Sequence, residues 1–225
     1  MRAVLADHLG TPDVLRPVTL PDPEPGTGQV RVVVEVAAIT FIDTLIRAGS
    51  PAGSPATFPT VLGNGVGGVI DRVGHDVDPA WFGTRVVTST EGTGGYASLA
   101  VAQTTDLHRV PDRLTLPEAT ARLADGRTAV GLHRVAGIRP DETVVVTAAA
   151  GGVGGVGGVT VFPLSAVGAA SGDLDLFALT ERALELATQG TIRPAVGQSF
   201  PLDDAAAAHA AIESRTTIGK ALLLP

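Results

Sequence analysis

The chain has 225 residues, 44% of them apolar and 17% charged, with a formal net charge of −7. This composition suits one large domain or two small ones and excludes an intrinsically disordered chain. With no basic run, a single lysine (Lys220) and no cysteine, it also excludes nucleic-acid and anionic-membrane surfaces, disulfides, thiolate zinc sites and thiol nucleophiles. The N-terminal residues MRAVLADHLG lack the basic and apolar regions of a signal peptide. No segment has the ~20 apolar residues of a membrane span. A cytoplasmic protein is expected.

In chain order, Arg2–Leu5 reads as a short strand. Pro17, Pro21, Pro23 and Pro25, with Gly26 and Gly28, then mark an irregular connection. Residues 29–38 alternate strongly, placing Val30, Val32, Val34 and Val36 on one strand face and Arg31, Val33 and Glu35 on the other. Helical spacing follows over 40–47, with Phe41, Leu45 and Ala48 on one stripe. A Gly/Pro/Ser loop occupies 49–59, and residues 63–68 hold four glycines. Residues 66–73 and 85–89 read as further strands. Residues 92–97 form a glycine turn carrying Tyr96, the only tyrosine. Short strands punctuated by glycine turns predict a small, partly open barrel.

From Leu116 the pattern becomes helical, with Ala121, Ala124, Thr128, Leu132 and Val135 on one stripe and Gly137 and Pro140 as the stop. Residues 143–148 are an uncharged β-branched run, as in a strand buried on both faces. A second such run covers 159–164. Leu176, Leu179, Ala183, Leu186 and Ala187 mark a helix that ends at Gly190. Asp173 and Asp175 precede this helix and read as caps. Residues 201–204 cap a last helix running to about Ser214. Residues 219–224 form a closing strand that returns to the first part of the chain.

Between the two β-branched runs lies the most informative stretch, Ala149-Ala150-Gly151-Gly152-Val153-Gly154. Glycines after a buried strand permit a tight turn whose backbone N–H groups approach a pyrophosphate, and a helix should follow. Here Gly-Gly-Val repeats three times over 151–159, with six glycines in nine residues. Glycine costs about 1 kcal/mol per residue against alanine inside a helix. The sequence thus offers a phosphate turn without its helix. Gly151–Gly154 reads either as a backbone anion nest or as part of a flexible linker.

Taken as an ordered set, AAITFIDTLIRAG (37–49), LGNGVGGVI (62–70), GTGGYASLA (92–100), VPDRLTLPEATARLADGRTA (110–129), TVVVTAAAGGVG (143–154) and the segment 190–225 resemble the medium-chain dehydrogenase/reductase superfamily. The similarity is to its zinc-independent quinone-oxidoreductase, zeta-crystallin-like branch. It implies an α/β (α+β) fold: a GroES-like, partly open β-barrel catalytic domain from residues 1–115 and 195–225, and a Rossmann domain. The latter is reduced to a remnant at 116–194 with a Gly-rich linker at 151–158. A full doubly wound domain has six strands, and ten glycine-rich residues replace its middle. The resemblance further implies NADPH as hydride donor, no metal, and a quinone, enone or other small carbonyl compound as acceptor. Thr40 and Leu45 stand where relatives carry Asn and Tyr, and Gly65 where a glutamate is often found.

The candidate catalytic residues are Thr40, Asp43 and Tyr96. Asp43 reads as a general acid/base, as a residue that orients substrate, or as a backbone hydrogen-bond partner. Thr40 either donates to a carbonyl oxygen or back-bonds within its helix. Tyr96 either lines the cleft or packs. The candidate cofactor-binding residues are Thr128, Ala150, Gly151, Gly152, Val153 and Gly154. Thr128 matches the family's threonine near the nicotinamide, or is simply a helix residue. The five histidines show no ligand spacing and read as surface or capping residues. A reduced sheet exposes edges and apolar faces, so a homodimer is expected. Two functions remain open. One is an NADPH-dependent reductase. The other is a cofactor-free scaffold: a ligand-binding module, an isomerase or cyclase, or a chain whose cofactor domain has been excised and bridged by glycine.

Overall fold

The computed structural model describes residues 1–53, 55–137, 151–153, 174–193 and 196–225. The fold is mixed α/β and is built on two sheets. In the smaller one, β1 (Arg2–Ala6) lies between β2 (Leu15–Thr19) and β4 (Thr60–Val61), all antiparallel. The larger sheet comprises β3 (Gln29–Ala38), β5 (Gly65–Val73), β6 (Arg85–Ser89), β7 (Leu99–Gln103), β8 (His108–Arg109), β9 (Val196–Pro201) and β10 (Lys220–Leu224). Its order is β8-β6-β5-β3-β10-β9, with β7 also on β3. No closed barrel forms among the described residues. The strands expected at 143–148 and 159–164 lie outside them.

Strand β3 is the spine. One edge pairs with β5 along its whole length; the other pairs with β7 at Gln29–Val33 and with β10 at Ala37–Ala38. The alternation explains this position: Val30, Val32, Val34 and Val36 are all buried, whereas Val33 is 40% exposed. Arg31 departs from the pattern. It is buried because its guanidinium makes two hydrogen bonds to the Asp71 carboxylate, at 2.9 and 2.7 Å. Opposite the irregular register at Val34–Val36 lie Gly67 and Gly68. A Cβ on Gly67 would sit 2.1 Å from Thr120 Oγ1, so the glycine lets a helix lie on the strand.

That helix is α2 (Leu116–Ala136). Thr115 and Glu118 cap it reciprocally, and Gly137 closes it in the left-handed conformation at φ 59°. The expected stripe is only partly right: Leu132 and Ala121 are buried, Ala124 and Thr128 half-buried, and Val135 46% exposed. Helix α2 contacts the sheet on one side and α3 (Leu176–Thr188) on another, which broadens its buried surface. Gly126 and Ala183 form the close contact between the two helices. Asp175 caps α3, accepting from Ala178 N–H at 3.0 Å. Leu176 faces solvent rather than the core. Helix α4 (Ala205–Glu213) packs Ala205, Ala208 and His209 inward.

Strand β9 was not legible. It runs parallel to β10 and reads VGQSFP, with little β-branched character. Gly197 is required there, because a Cβ would meet the Ile218 carbonyl oxygen at 1.6 Å. Among the described residues no helix is long and apolar enough to cross a membrane.

Gly68 gives a test of the β3–β5 register. An alanine Cβ would sit 1.9 Å from the Val33 carbonyl oxygen, and backbone cannot rotate away as a side chain can. Gly68→Ala is expected to cost about 2–3 kcal/mol, read as a lowered urea midpoint at unchanged slope. An unchanged midpoint would contradict this packing.

Candidate functional site

The site grows from the start of α1 (Phe41–Arg47). Thr40 is its N-cap and Asp43 its third residue, so the Asp43 carboxylate can turn back to the free N–H groups of the first turn. Oδ2 of Asp43 accepts from Thr40 N–H at 2.7 Å and from the Thr40 hydroxyl at 2.8 Å. It also accepts from the Tyr96 hydroxyl at 3.1 Å. Among the described residues no donor reaches Oδ1.

Tyr96 is fully buried. Its ring lies over Gly63, where φ is +89° and a Cβ would sit 2.3 Å from the ring. His209, from α4, meets the tyrosine oxygen through Nε2 at 2.9 Å. Arg47, at the end of α1, donates from Nε to His209 Nδ1 at 3.3 Å. An arginine N–H can only donate, so Nδ1 is the acceptor and the imidazole proton rests on Nε2. That proton goes to the Tyr96 oxygen, and the phenol proton goes to Asp43. The polarity of the chain Arg47, His209, Tyr96, Asp43 is therefore fixed. Arg47 is anchored further by Glu213 and the Gly10 carbonyl.

Burial sets the electrostatics. It raises the Asp43 pKa above the usual carboxylate value, against the lowering effect of the Thr40 and Tyr96 donors and the Lys220 charge. It also raises the Tyr96 phenol well above its ordinary value, with the Asp43 charge second. His209 is pushed down to about 3, first by burial and then by the Arg47 charge. The histidine is thus neutral and structural, not a surface residue. His108 departs from the surface expectation as well: it is buried, stacks on Phe177 with centroids 4.3 Å apart and meets Glu181 at 2.5 Å.

Asp43 also lines a cleft of about 480 Å³, together with Ile42, Ile46, Thr57, Asn64 and Thr93. Asn64 holds the loop opposite: its Oδ1 accepts from Thr90 N–H at 3.1 Å and Gly92 N–H at 2.6 Å. The structure thus brings Thr40, Asp43 and Tyr96 together, and of the three only Asp43 lines this cleft.

Of the cofactor candidates, Thr128 is half-buried on α2, and Gly151, Gly152 and Val153 are described, while Ala150 and Gly154 lie outside the described residues. Gly151 forms a parallel bridge with Gly219. Gly152 abuts Asp125, since a Cβ there would sit 1.9 Å from Asp125 Oδ2. Lys220 Nζ, buried, donates to Asp125 Oδ1 at 3.1 Å. Asp125 and Thr128 stand three residues apart on one side of α2. The sequence reading missed Lys220, Asp125, Arg47 and His209. Two signals were available: the only lysine, and a carboxylate in an alanine-rich helix. Among the described residues no group of three His, Asp or Glu side chains could hold a metal.

The His209 shift has a definite sign. Its folded pKa, about 3, lies below the ordinary histidine value of 6.5. The unfolded chain therefore takes up a proton first as pH falls, and stability drops between pH 6.5 and 3. Between pH 7 and pH 4.5 the loss is expected to be about 2–3 kcal/mol. Urea unfolding at pH 7 and pH 4.5 should show this loss in the wild type and a smaller one in His209→Gln. Equal losses in both proteins would remove His209 as the cause.

A sequence profile described as zinc-binding dehydrogenase matches residues 56–223. The quinone oxidoreductase of Salmonella typhimurium is 34% identical over 146 residues, covering 64% of this chain and 44% of that protein. The chain spans less than half the length of the curated relatives it matches. Among solved structures, Escherichia coli quinone oxidoreductase complexed with NADPH superposes with a TM-score of 0.86 at 22% identity, covering all of both chains. A mycobacterial protein complexed with NADPH gives 0.83 at 25% identity, also over all of both chains. The chain belongs to the zinc-binding dehydrogenase family of the medium-chain dehydrogenase/reductase superfamily, with quinone oxidoreductases among its relatives.

Proposed function

We propose that this protein is a cytoplasmic quinone-oxidoreductase-like reductase that binds a small carbonyl, enone or quinone ligand in the Asp43 cleft. The observation that carries the reading is the asymmetry of Asp43. One oxygen takes three donors, the other takes none among the described residues, and Asp43 lines a cleft walled by Ile42 and Ile46. When Asp43 is protonated, the proton belongs on Oδ1, because Oδ2 is saturated. Burial favours that protonated form. Oδ1–H can then donate to a ligand carbonyl oxygen and release its proton as that oxygen becomes a hydroxyl. Asp43 is reprotonated from solvent through the cleft. Tyr96 and Thr40 act through Asp43, holding its Oδ2 in place.

In this reading, residues 1–115 with 195–225 form the ligand-binding domain, and residues 116–194 are the cofactor remnant. NADPH, when bound, supplies the hydride. The residues that would hold it are Thr128 on α2 and the turn at Ala150–Gly154. Gly151 and Gly152 carry no side chain of their own, which favours close backbone approach, although Asp125 Oδ2 fills the space beside Gly152. No metal is assigned a role. A homodimer formed through the strands expected at 143–148 and 159–164 belongs to the same proposal. Sedimentation velocity at high concentration tests it, and a single monomeric species would remove it.

A second reading has its own observation. Asp125 places a carboxylate against Gly152, and the only lysine is already paired with it. Both oppose a phosphate, which favours a cofactor-free ligand-binding protein or isomerase. Titration with NADPH, with NADH alongside, followed by quinone and enone turnover, separates the two. Measurable NADPH binding with turnover supports the reductase, and Asp43→Asn is then expected to lower turnover by about 10²-fold. Tyr96→Phe is expected to lower it less, because Thr40 still holds Oδ2. No binding at millimolar NADPH would leave the cofactor-free reading.

A further inference from the structure

Asp125 and Lys220 lie outside the cleft chemistry and yet are both buried. Burying an ion pair costs desolvation of both groups, so such a pair is weak evidence for stability and needs another account. Its position offers one. Asp125 Oδ1 is held by Lys220 Nζ at 3.1 Å, and the same carboxylate presents Oδ2 to Gly152, close enough to exclude any side chain there. Gly151, the preceding residue, bridges Gly219, which precedes Lys220. Turn, carboxylate and ammonium therefore form one contiguous group on α2, the 151–153 segment and β10.

We propose that the Asp125 carboxylate is a built-in anion at the glycine turn, held there by Lys220, that a dinucleotide phosphate must displace before Lys220 can pair with that phosphate. The inference rests on the reading of Gly151–Val153 as a cofactor turn and adds a regulatory element to that same site. The physical argument is charge. A phosphate approaching Gly152 meets a carboxylate in a poorly solvated place, where like charges repel strongly. Lys220, the cation that the structure places at this carboxylate, is neutralised by it. Removing the carboxylate does two things together: it ends the repulsion and frees the ammonium. Lys220 is also felt at Asp43, whose pKa it lowers. Displacing Asp125 from Lys220 would thus be sensed at the ligand cleft.

The test reads binding rather than turnover. NADPH affinity is measured by fluorescence and calorimetry for the wild type, Asp125→Asn, and Asp125→Asn combined with Lys220→Met, with folding checked by circular dichroism. The expected result is about tenfold tighter binding in Asp125→Asn, lost again when Lys220→Met is added. Inorganic pyrophosphate should show the same order if the phosphate is the group recognised. Should the amide variant fail to fold, Asp125→Ala takes its place, since alanine is the strongest helix former at that position in α2. Equal affinity in wild type and variant would overturn the inference and leave the cofactor reading standing. A gain that survives Lys220→Met would overturn the role of Lys220. No binding by any of these proteins at millimolar NADPH would overturn both the inference and the cofactor reading.

Discussion

The structure depends on how it satisfies polar groups that have been taken out of water. Asp43, Tyr96, His209 and Arg47 are all but completely buried, and they come from three separate parts of the chain: α1, the turn before β7, and α4. A buried polar group without a partner costs roughly 1–3 kcal/mol, and more when charged. Each member of this chain of hydrogen bonds therefore requires the next. Helix α1 cannot begin properly without Asp43, Asp43 is braced by Tyr96, and Tyr96 is oriented by a histidine whose tautomer is set by Arg47. The cleft wall at Asp43 is braced for this reason, and among the described residues Oδ1 of Asp43 takes no donor while Oδ2 takes three.

A second consequence concerns the path between the two candidate half-sites. Lys220 begins β10, which pairs with the end of β3, and Ile39 N–H bonds the Ala221 carbonyl at 3.1 Å. Thr40 and α1 follow immediately. The ammonium is therefore positioned by the same strand pairing that positions the helix cap. Its charge acts on Asp125 by direct contact and on Asp43 at longer range. Electrostatic coupling of this kind needs no moving part, because the low-polarity interior carries it.

Much of the architecture could be read from residue patterns, and the reasons are physical. The alternation over 29–38, the glycine turn before Tyr96, the acidic cap at Asp175 and the return of the closing strand to β3 all express local rules that tertiary packing left intact. The failures have equally specific causes. Strand β9 is poor in β-branched residues because it is specified by its neighbour β10 and by a glycine under a carbonyl. Val135 and Leu176 fit a helical period yet face solvent, because α2 and α3 bury surfaces different from the stripe their apolar residues suggest. For the candidate site, Asp43, Thr40 and Tyr96 were legible from a motif and a lone aromatic. His209 was not, because a histidine in an alanine-rich helix carries no spacing signal. Only the fold reveals that it reaches across to Tyr96.

The position of β10 bears on how the molecule reaches this state. Leu222 pairs with Ala38, and Leu222 and Leu223 are fully buried. The central strand β3 thus keeps part of one edge open until almost the whole described chain has been made. During synthesis the backbone N–H and C=O groups of that edge wait for their partner, which is the situation that invites pairing with another nascent chain. Contacts this distant in sequence also slow folding, because loop closure precedes any reward from pairing. The closing of that edge by β10 is thus a long-range contact that only the last strand of the described chain can make.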